Sequence, residues 1–152
     1  MASVQIVPRH RADPALTALL VAAVDELNTR YPEEPTSHDL DPRTRFLMAD
    51  VEGRAAGCIA LVPLERAVGE VKRMFVAPSF RGRGIATRLL AGLEVRARAT
   101  GMVRLVLETG VRQPESVALY EKAGFDPVAP YGSHVGSPLS LCFAKDLADG
   151  AA

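Results

Sequence analysis

Three β-type runs, Arg45 to Val51, Arg54 to Pro63 and Val68 to Val76, succeed one another with only Glu52-Gly53 and a short polar turn around Glu65-Arg66 between them. Connections this short admit only antiparallel hairpins, because a parallel return needs a crossover of about a dozen residues or more. The middle of the chain is therefore committed to a three-stranded meander. The next segment narrows the fold further. Val-Ala-Pro-Ser-Phe-Arg-Gly-Arg-Gly-Ile-Ala, Val76 to Ala86, leads out of a strand and into a helix whose apolar positions are Ile85, Leu89, Leu90, Leu93 and Ala97. Glu94 stands four residues ahead of Arg98 on that helix, and Gly101 marks its end. Val103 to Glu108 comes after this helical crossover and is expected to lie parallel to the third meander strand.

The flanking segments fit around that unit. Ser3 to Val7 reads as an edge strand, and Asp13-Pro14 supplies an N-cap with proline at the first helical position. Leu16, Leu19, Leu20, Ala23, Val24 and Leu27 then share one face of a helix from Pro14 to about Asn28. Thr29 to Arg43 is too proline-rich and polar for regular structure and reads as a loop. Pro114 and Gly124 bracket a short helix, Glu115 to Ala123, that carries Tyr120, and the apolar run Leu139 to Ala144 closes the sheet in a terminal strand pair. The expected architecture is α+β, an α/β/α sandwich around a mixed, mostly antiparallel sheet with one parallel pair. Where a parallel pair splays at its C-terminal ends, unpaired backbone groups become available to an extended ligand.

With 152 residues, 48% of them hydrophobic, the chain is the size of one domain, expected to span 1–152. Eighteen basic residues balance eighteen acidic ones, so charge argues for neither a nucleic-acid nor a membrane partner. The first ten residues hold no apolar stretch of signal-peptide length and no later run approaches a membrane span, which points to a cytoplasmic protein. Cys58 and Cys142 lie in apolar runs without Cys-x-x-Cys spacing or a histidine cluster, as expected of buried, reduced, structural thiols.

The glycine-rich turn has the chemistry to hold a pyrophosphate. N–H groups in the first turn of a helix lack partners and the helix dipole adds positive charge there. Gly82 and Gly84 carry no Cβ to block approach, and Arg81 and Arg83 add attraction for phosphate oxygens. The plainer alternative is a glycine loop capping an ordinary helix. Three titratable groups map near the parallel junction: Glu70, Glu108 and Tyr120. A carboxylate can take a proton from an ammonium nucleophile and a phenol can protonate a departing thiolate. Each also has a structural reading. Glu70 could pair with Lys72, Glu108 with Arg104 or Arg112, and Tyr120 could simply pack its helix on the sheet.

On these residues the chain resembles the GNAT superfamily of acyl-CoA-dependent N-acyltransferases, whose signature is Arg/Gln-x-x-Gly-x-Gly/Ala after a strand ending in Val-x-Pro. It stands here as Val76-Ala77-Pro78 and Arg81-Gly82-Arg83-Gly84-Ile85-Ala86. A second family segment appears as Leu105-Val106-Leu107-Glu108 and Leu119-Tyr120-Glu121-Lys122-Ala123-Gly124-Phe125. The resemblance implies a single N-acetyltransferase domain using acetyl-CoA and no metal. It implies that N–H groups of Gly82, Arg83, Gly84, Ile85, Ala86 and Thr87 hold the CoA pyrophosphate beside Arg81. Met74, Phe75 and Val76 would pair with the pantetheine arm like an added strand, with one N–H facing the thioester oxygen as an oxyanion donor. Gln113 falls where many members carry an asparagine that bonds the same arm. Family members draw the general base from either of two strand positions, and both are glutamate here, Glu70 and Glu108. Tyr120 matches the general acid that protonates the CoA thiolate. The implied reaction is direct attack by a primary amine in a ternary complex, without an acyl-enzyme. Members are often dimers, so a homodimer is an expectation carried by the resemblance alone.

A dinucleotide oxidoreductase is disfavoured by Thr87 in place of a third glycine, by the five residues that separate Val76 from Gly82 and by the antiparallel meander. A non-catalytic acyl-CoA sensor is a second alternative, against which the retention of Glu70, Glu108 and Tyr120 argues. One Arg-Gly-Arg-Gly repeat at zero net charge gives little reason for RNA binding. The resemblance implies that the segments Tyr31–Asp41 and Pro130–Pro138 flank the acceptor pocket opposite CoA. There Glu33, Glu34, Asp39 and Asp41 could attract an amine, Arg73 and His134 could hold a carboxylate, and Tyr31 and Tyr131 could frame a pocket or anchor their loops. The expected acceptor is a small molecule or amino acid, with a peptide or protein amine as the alternative.

Overall fold

The computed structural model describes residues 3–147, so the two ends of the expected 1–152 domain lie outside the described residues. In chain order it contains β1 (Val4–Arg9), α1 (Pro14–Arg30), β2 (Arg45–Val51), β3 (Arg54–Pro63), β4 (Val68–Val76), α2 (Ile85–Ala99), β5 (Arg104–Gly110), α3 (Pro114–Lys122), β6 (Asp126–Val128) and β7 (Ser140–Asp146). The strands form one sheet in the order β1-β2-β3-β4-β5-β7-β6, antiparallel throughout except for the parallel pair β4–β5.

Strand alternation sorts the core into two layers. Phe46, Met48, Cys58, Ala60 and Phe75 face one way and meet Leu16, Leu19 and Ala23 of α1. Leu47, Ile59, Leu61, Val71, Leu105 and Leu107 face the other way and meet Ile85, Leu89, Leu90 and Leu93 of α2, with Tyr120 and Phe125 from around α3. Leu89, Leu90 and Leu93 are at most 1% exposed, and burial of each contributes about 2–3 kcal/mol. Local signals agree with these layers. Asp13 caps α1 by accepting from the Leu16 N–H, and Glu52 and Gly53 both take positive φ in the β2–β3 hairpin. Cys58 and Cys142 are buried and unpaired with each other.

The element boundaries move slightly from the sequence expectation. Helix α1 continues to Arg30, because Tyr31 still donates its N–H to Leu27, and β1 runs on through Pro8, which an edge strand tolerates. Strand β7 forms the expected terminal pair with the short β6, which takes the outer position.

One irregularity shapes the functional region. Opposite Cys58 and Ala60 of β3 stand Phe75 and Lys72 of β4, so the two residues Arg73 and Met74 oppose the single residue Ile59. This is a β-bulge, and Arg73 within it takes φ 54, a left-handed conformation that costs a non-glycine residue about 1 kcal/mol or more. The parallel pairing of β4 with β5 runs from Val68↔Arg104 to Val71↔Leu107 and stops there. The bulge turns β4 toward β3 alone, and the sheet opens into a wedge between Lys72–Val76 and Glu108–Gly110.

Candidate active site

The connection from β4 to α2 presents a run of backbone donors. After a 3₁₀ turn at Pro78–Phe80, Gly82 and Gly84 take φ 79 and 75, and Gly84 caps α2 with no side-chain bond. The first helical bond is that of the Arg88 N–H to the Gly84 carbonyl, and the N–H groups of Gly82 to Thr87 have no acceptor among the described residues. Six consecutive free donors at a helix start fit an anion with several oxygens. A Cβ at position 82 or 84 would touch no protein atom within 4 Å, so the fold itself requires glycine there for the backbone angle and not for room. Ile85 is buried, leaving only its backbone for a ligand.

The two arginines of the turn, expected to add attraction for phosphate oxygens, are engaged differently from each other. Arg81 donates from Nε to the Val76 carbonyl at 2.8 Å and from Nη2 to Glu26 at 2.7 Å, with its guanidinium over the Phe75 ring. Its charge is balanced by Glu26, and the side chain braces the turn against β4 and α1. Arg83 is exposed and stacks on Phe80, which Arg54 covers as well.

Beside this turn, the wedge opens into a cavity of about 400 Å³ bounded by α1, β4, β5, the start of α3 and the segment before β7. Glu70 and Glu108 both line it. Glu70 accepts from the Tyr131 hydroxyl at 2.6 Å and lies 3.8 Å from the Lys72 ammonium. Glu108 accepts from the Ser140 hydroxyl at 2.8 Å. Burial holds the Glu108 carboxyl above the usual carboxylate range, against the opposing effects of the Ser140 bond, His134 and Lys72. The expected pairing of Glu108 with Arg104 or Arg112 does not form, since Arg104 pairs with Asp146 and Arg112 with Glu33.

Tyr120 reaches the same cavity from the opposite face of the sheet, through the wedge. Its ring packs edge-on against Phe125 at 5.7 Å, so the packing role exists, yet the hydroxyl makes no hydrogen bond among the described residues. Burial pushes the phenol well above its ordinary value and keeps it protonated. Gln113 stands at the start of α3 with Oε1 accepting from the Gly110 N–H at 3.2 Å, which leaves its amide nitrogen for a ligand. Met74 and Phe75 line the cavity from β4.

The loop residues divide. Tyr31 forms part of the wall, but its hydroxyl accepts from the Arg112 N–H at 2.9 Å under the Arg112 guanidinium, so it anchors the end of α1. Tyr131 stays outside the cavity lining and acts on it through Glu70. Arg73 lines the cavity and donates to the Ser37 carbonyl at 2.9 Å. Of the four loop acids only Glu34 borders the cavity; Glu33 is held by Arg112 and Asp41 by Arg43. Sequence reasoning missed Ser137 and Ser140, whose hydroxyls bind Glu34 and Glu108, and Glu26 beneath Arg81. A serine in a loop carries no signal of the carboxylate it will meet.

No helix among the described residues is long and apolar enough to cross a membrane, and no group of three or more His, Cys, Asp or Glu among them could hold a metal ion. A wedge between parallel strands, with a helix-capping glycine turn on the connection that leaves one of them, is the arrangement the resemblance to acyl-CoA-dependent transferases leads one to expect. Residues 14–125 match the acetyltransferase (GNAT) family, and the chain belongs to that family. It is similar to an IAA acetyltransferase of Azospirillum brasilense, 41% identical over 154 residues that cover 97% of this chain and 100% of that one. Among solved structures it superimposes on a "putative acyl-CoA N-acyltransferase" of Klebsiella pneumoniae with a TM-score of 0.80 at 30% identity, covering 97% and 98% of the two chains. A GNAT family acetyltransferase of Elizabethkingia anophelis with acetyl-CoA bound shares the fold, with a TM-score of 0.70 at 22% identity over 95% and 98% of the chains. The chain is thus an acetyltransferase of the GNAT family.

Proposed function

We propose that this protein transfers the acetyl group of acetyl-CoA to a small primary amine by direct attack in a ternary complex. The observation that carries the reading is one wedge that brings together an unpaired strand edge, two carboxylates and a buried phenol, with six free N–H donors on the segment that leaves the same strand. In this reading Gly82 to Thr87 receive the diphosphate, and the open edge from Lys72 to Val76 pairs with the pantetheine arm, assisted by the Gln113 amide. Acetyl-CoA supplies the acyl group and the leaving thiolate.

The chain's own groups then move two protons. Glu108 takes one, directly or through water, from the attacking nitrogen as the C–N bond forms, the ammonium having first lost a proton to solvent; the burial that raises its pKa makes its carboxylate the stronger base. Glu70, engaged by Tyr131 and Lys72, holds a second negative charge that favours an ammonium in the cavity. As the C–N bond forms and the C–S bond breaks, Tyr120 gives its proton to sulfur and recovers one from solvent. General acid–base steps of this kind typically contribute about 10²–10⁴-fold.

The test is thiol release from acetyl-CoA with a panel of primary amines, using the parent protein, Tyr120→Phe and Glu108→Gln. The reading requires amine-dependent thiol release that falls about a hundredfold or more in each variant. Tight CoA binding with no amine-dependent release would instead mark an acyl-CoA sensor.

A further inference from the structure

Three cationic side chains, Arg30, Lys72 and Arg73, line the cavity. Arg30 is held by Glu26 and Glu115, and Lys72 lies beside Glu70. Arg73 has no carboxylate within ion-pair distance among the described residues; its one hydrogen bond goes to the Ser37 carbonyl. The residue is half-buried, and burial pulls its pKa down against the pull of Glu70. A guanidinium has five N–H donors in a planar fork, so most of Arg73's capacity is unspent in a wall where solvation is already reduced.

The acids of the same cavity are matched differently. Glu34, Glu70 and Glu108 each accept from a neutral hydroxyl of one segment, from Ser137, Tyr131 and Ser140 respectively. Neutral donors fix the carboxylates in place without cancelling their charge. Among the described residues Glu34 and Glu108 have no cationic partner in ion-pair range, as Arg73 has no anionic one. The cavity therefore holds one unanswered positive fork and two unanswered negative groups on walls built from β4, β5 and the α1–β2 loop. Glu70 and Arg73 lie three residues apart on β4, at most about 10 Å of strand rise.

We propose that the acceptor is a primary amine that also carries a carboxylate, with Arg73 binding the carboxylate in its fork while the amine faces Glu108. This rests on the transfer reading and names its substrate class. The backbone at Arg73 supports it: the bulge that opens the wedge is also what aims this side chain, at the cost of a left-handed φ of 54. A bidentate contact in such a wall discriminates against an analogue that lacks the group, because the half-buried fork is then left without an anion. It also separates free amino acids from peptide N-termini, whose first carbonyl is a neutral amide.

The experiment compares matched triplets: L-amino acids of different side chains, their carboxamides, and the corresponding decarboxylated amines. Each is assayed with acetyl-CoA for the parent protein and for Arg73→Gly and Arg73→Lys. Glycine accepts the φ of 54 without strain, so Arg73→Gly keeps the bulge while deleting the fork. The proposal expects kcat/KM for at least one amino acid to exceed that of its carboxamide and amine by about 30-fold or more. That ratio should collapse toward unity in Arg73→Gly, through KM of the acceptor, and recover only in part in Arg73→Lys. Equal turnover of acids, amides and amines by the parent, or a ratio that survives Arg73→Gly, overturns the carboxylate assignment and leaves the transfer reading intact. Failure of every amine in the panel to release thiol removes the transfer reading to primary amines, and this assignment with it.

Discussion

Gly110 ends β5 where the strand passes under Tyr31, and Gly110→Ala tests that contact quantitatively. A Cβ there would come within 1.9 Å of the Tyr31 hydroxyl oxygen, 2.3 Å of Cζ and 2.9 Å of Cε1. These atoms belong to a rigid ring that cannot rotate clear, since its hydroxyl accepts from the Arg112 N–H at 2.9 Å and its face lies under the Arg112 guanidinium. Moving the ring loses a hydrogen bond of about 1 kcal/mol and a cation–π contact of about 0.5–1 kcal/mol, and adds about 1–3 kcal/mol of overpacking. The sum, about 3–4 kcal/mol, corresponds to a fall in Tm of roughly 8–12 °C for a chain of this size. Thermal and urea denaturation of Gly110→Ala, Tyr31→Ala and the double variant measure it. Tyr31→Ala alone costs about 3–5 kcal/mol for the lost aromatic ring. The double variant should be close to Tyr31→Ala, because the clash has no second partner. A Gly110→Ala protein as stable as its parent, or losses that simply add, would refute the close approach that shapes this end of the cavity.

Tyr120→Phe is expected to keep stability within about 0.5 kcal/mol of the parent, since the hydroxyl has no protein partner to lose, while kcat falls by about 10²-fold or more. Glu108→Gln is expected to lower kcat and raise stability at neutral pH: burial lifts the folded pKa above the ordinary 4.5, so Glu108's contribution is full below that value and is lost as pH rises through the folded pKa. Tm measured from pH 4.5 upward should therefore decline less steeply in the glutamine variant than in the parent. Gly84→Ala, at φ 75 with open space around a new Cβ, should cost only about 1–2 kcal/mol of stability yet weaken CoA binding at least tenfold by calorimetry, because the strained turn no longer holds its donors in one direction.

The sheet is readable from residue patterns because its determinants are local. Hairpin turns at Glu52-Gly53 and Glu65-Arg66, proline at the starts of α1 and α3, and glycine at the helix ends each act over a few residues. Strand alternation likewise separates Phe46 from Leu47, which lie in opposite layers. The anion-binding turn is legible for the same reason, being one contiguous segment. The features that escape the sequence depend on registry between distant segments. The bulge at Arg73 and Met74 arises from how β4 meets β3, and nothing in Lys72-Arg73-Met74 announces it. The carboxylate partners are equally hidden: Ser140 meets Glu108 across 32 residues, Tyr131 meets Glu70 across 61 and Arg81 meets Glu26 across 55. Glu70 is at once a cavity carboxylate and a neighbour of Lys72, so its two sequence readings are compatible. For Tyr120, too, the packing role and a hydroxyl without a protein partner occur together.

Where coenzyme A sits is read most directly from amide resonances. In a titration of the protein with CoA followed by NMR, the N–H signals of Gly82 to Thr87 should move most as they acquire a diphosphate acceptor, with a second group of shifts along Lys72 to Val76. A titration that leaves Gly82–Thr87 unshifted, with the perturbed amides clustered elsewhere, would contradict the placement of the diphosphate on this turn.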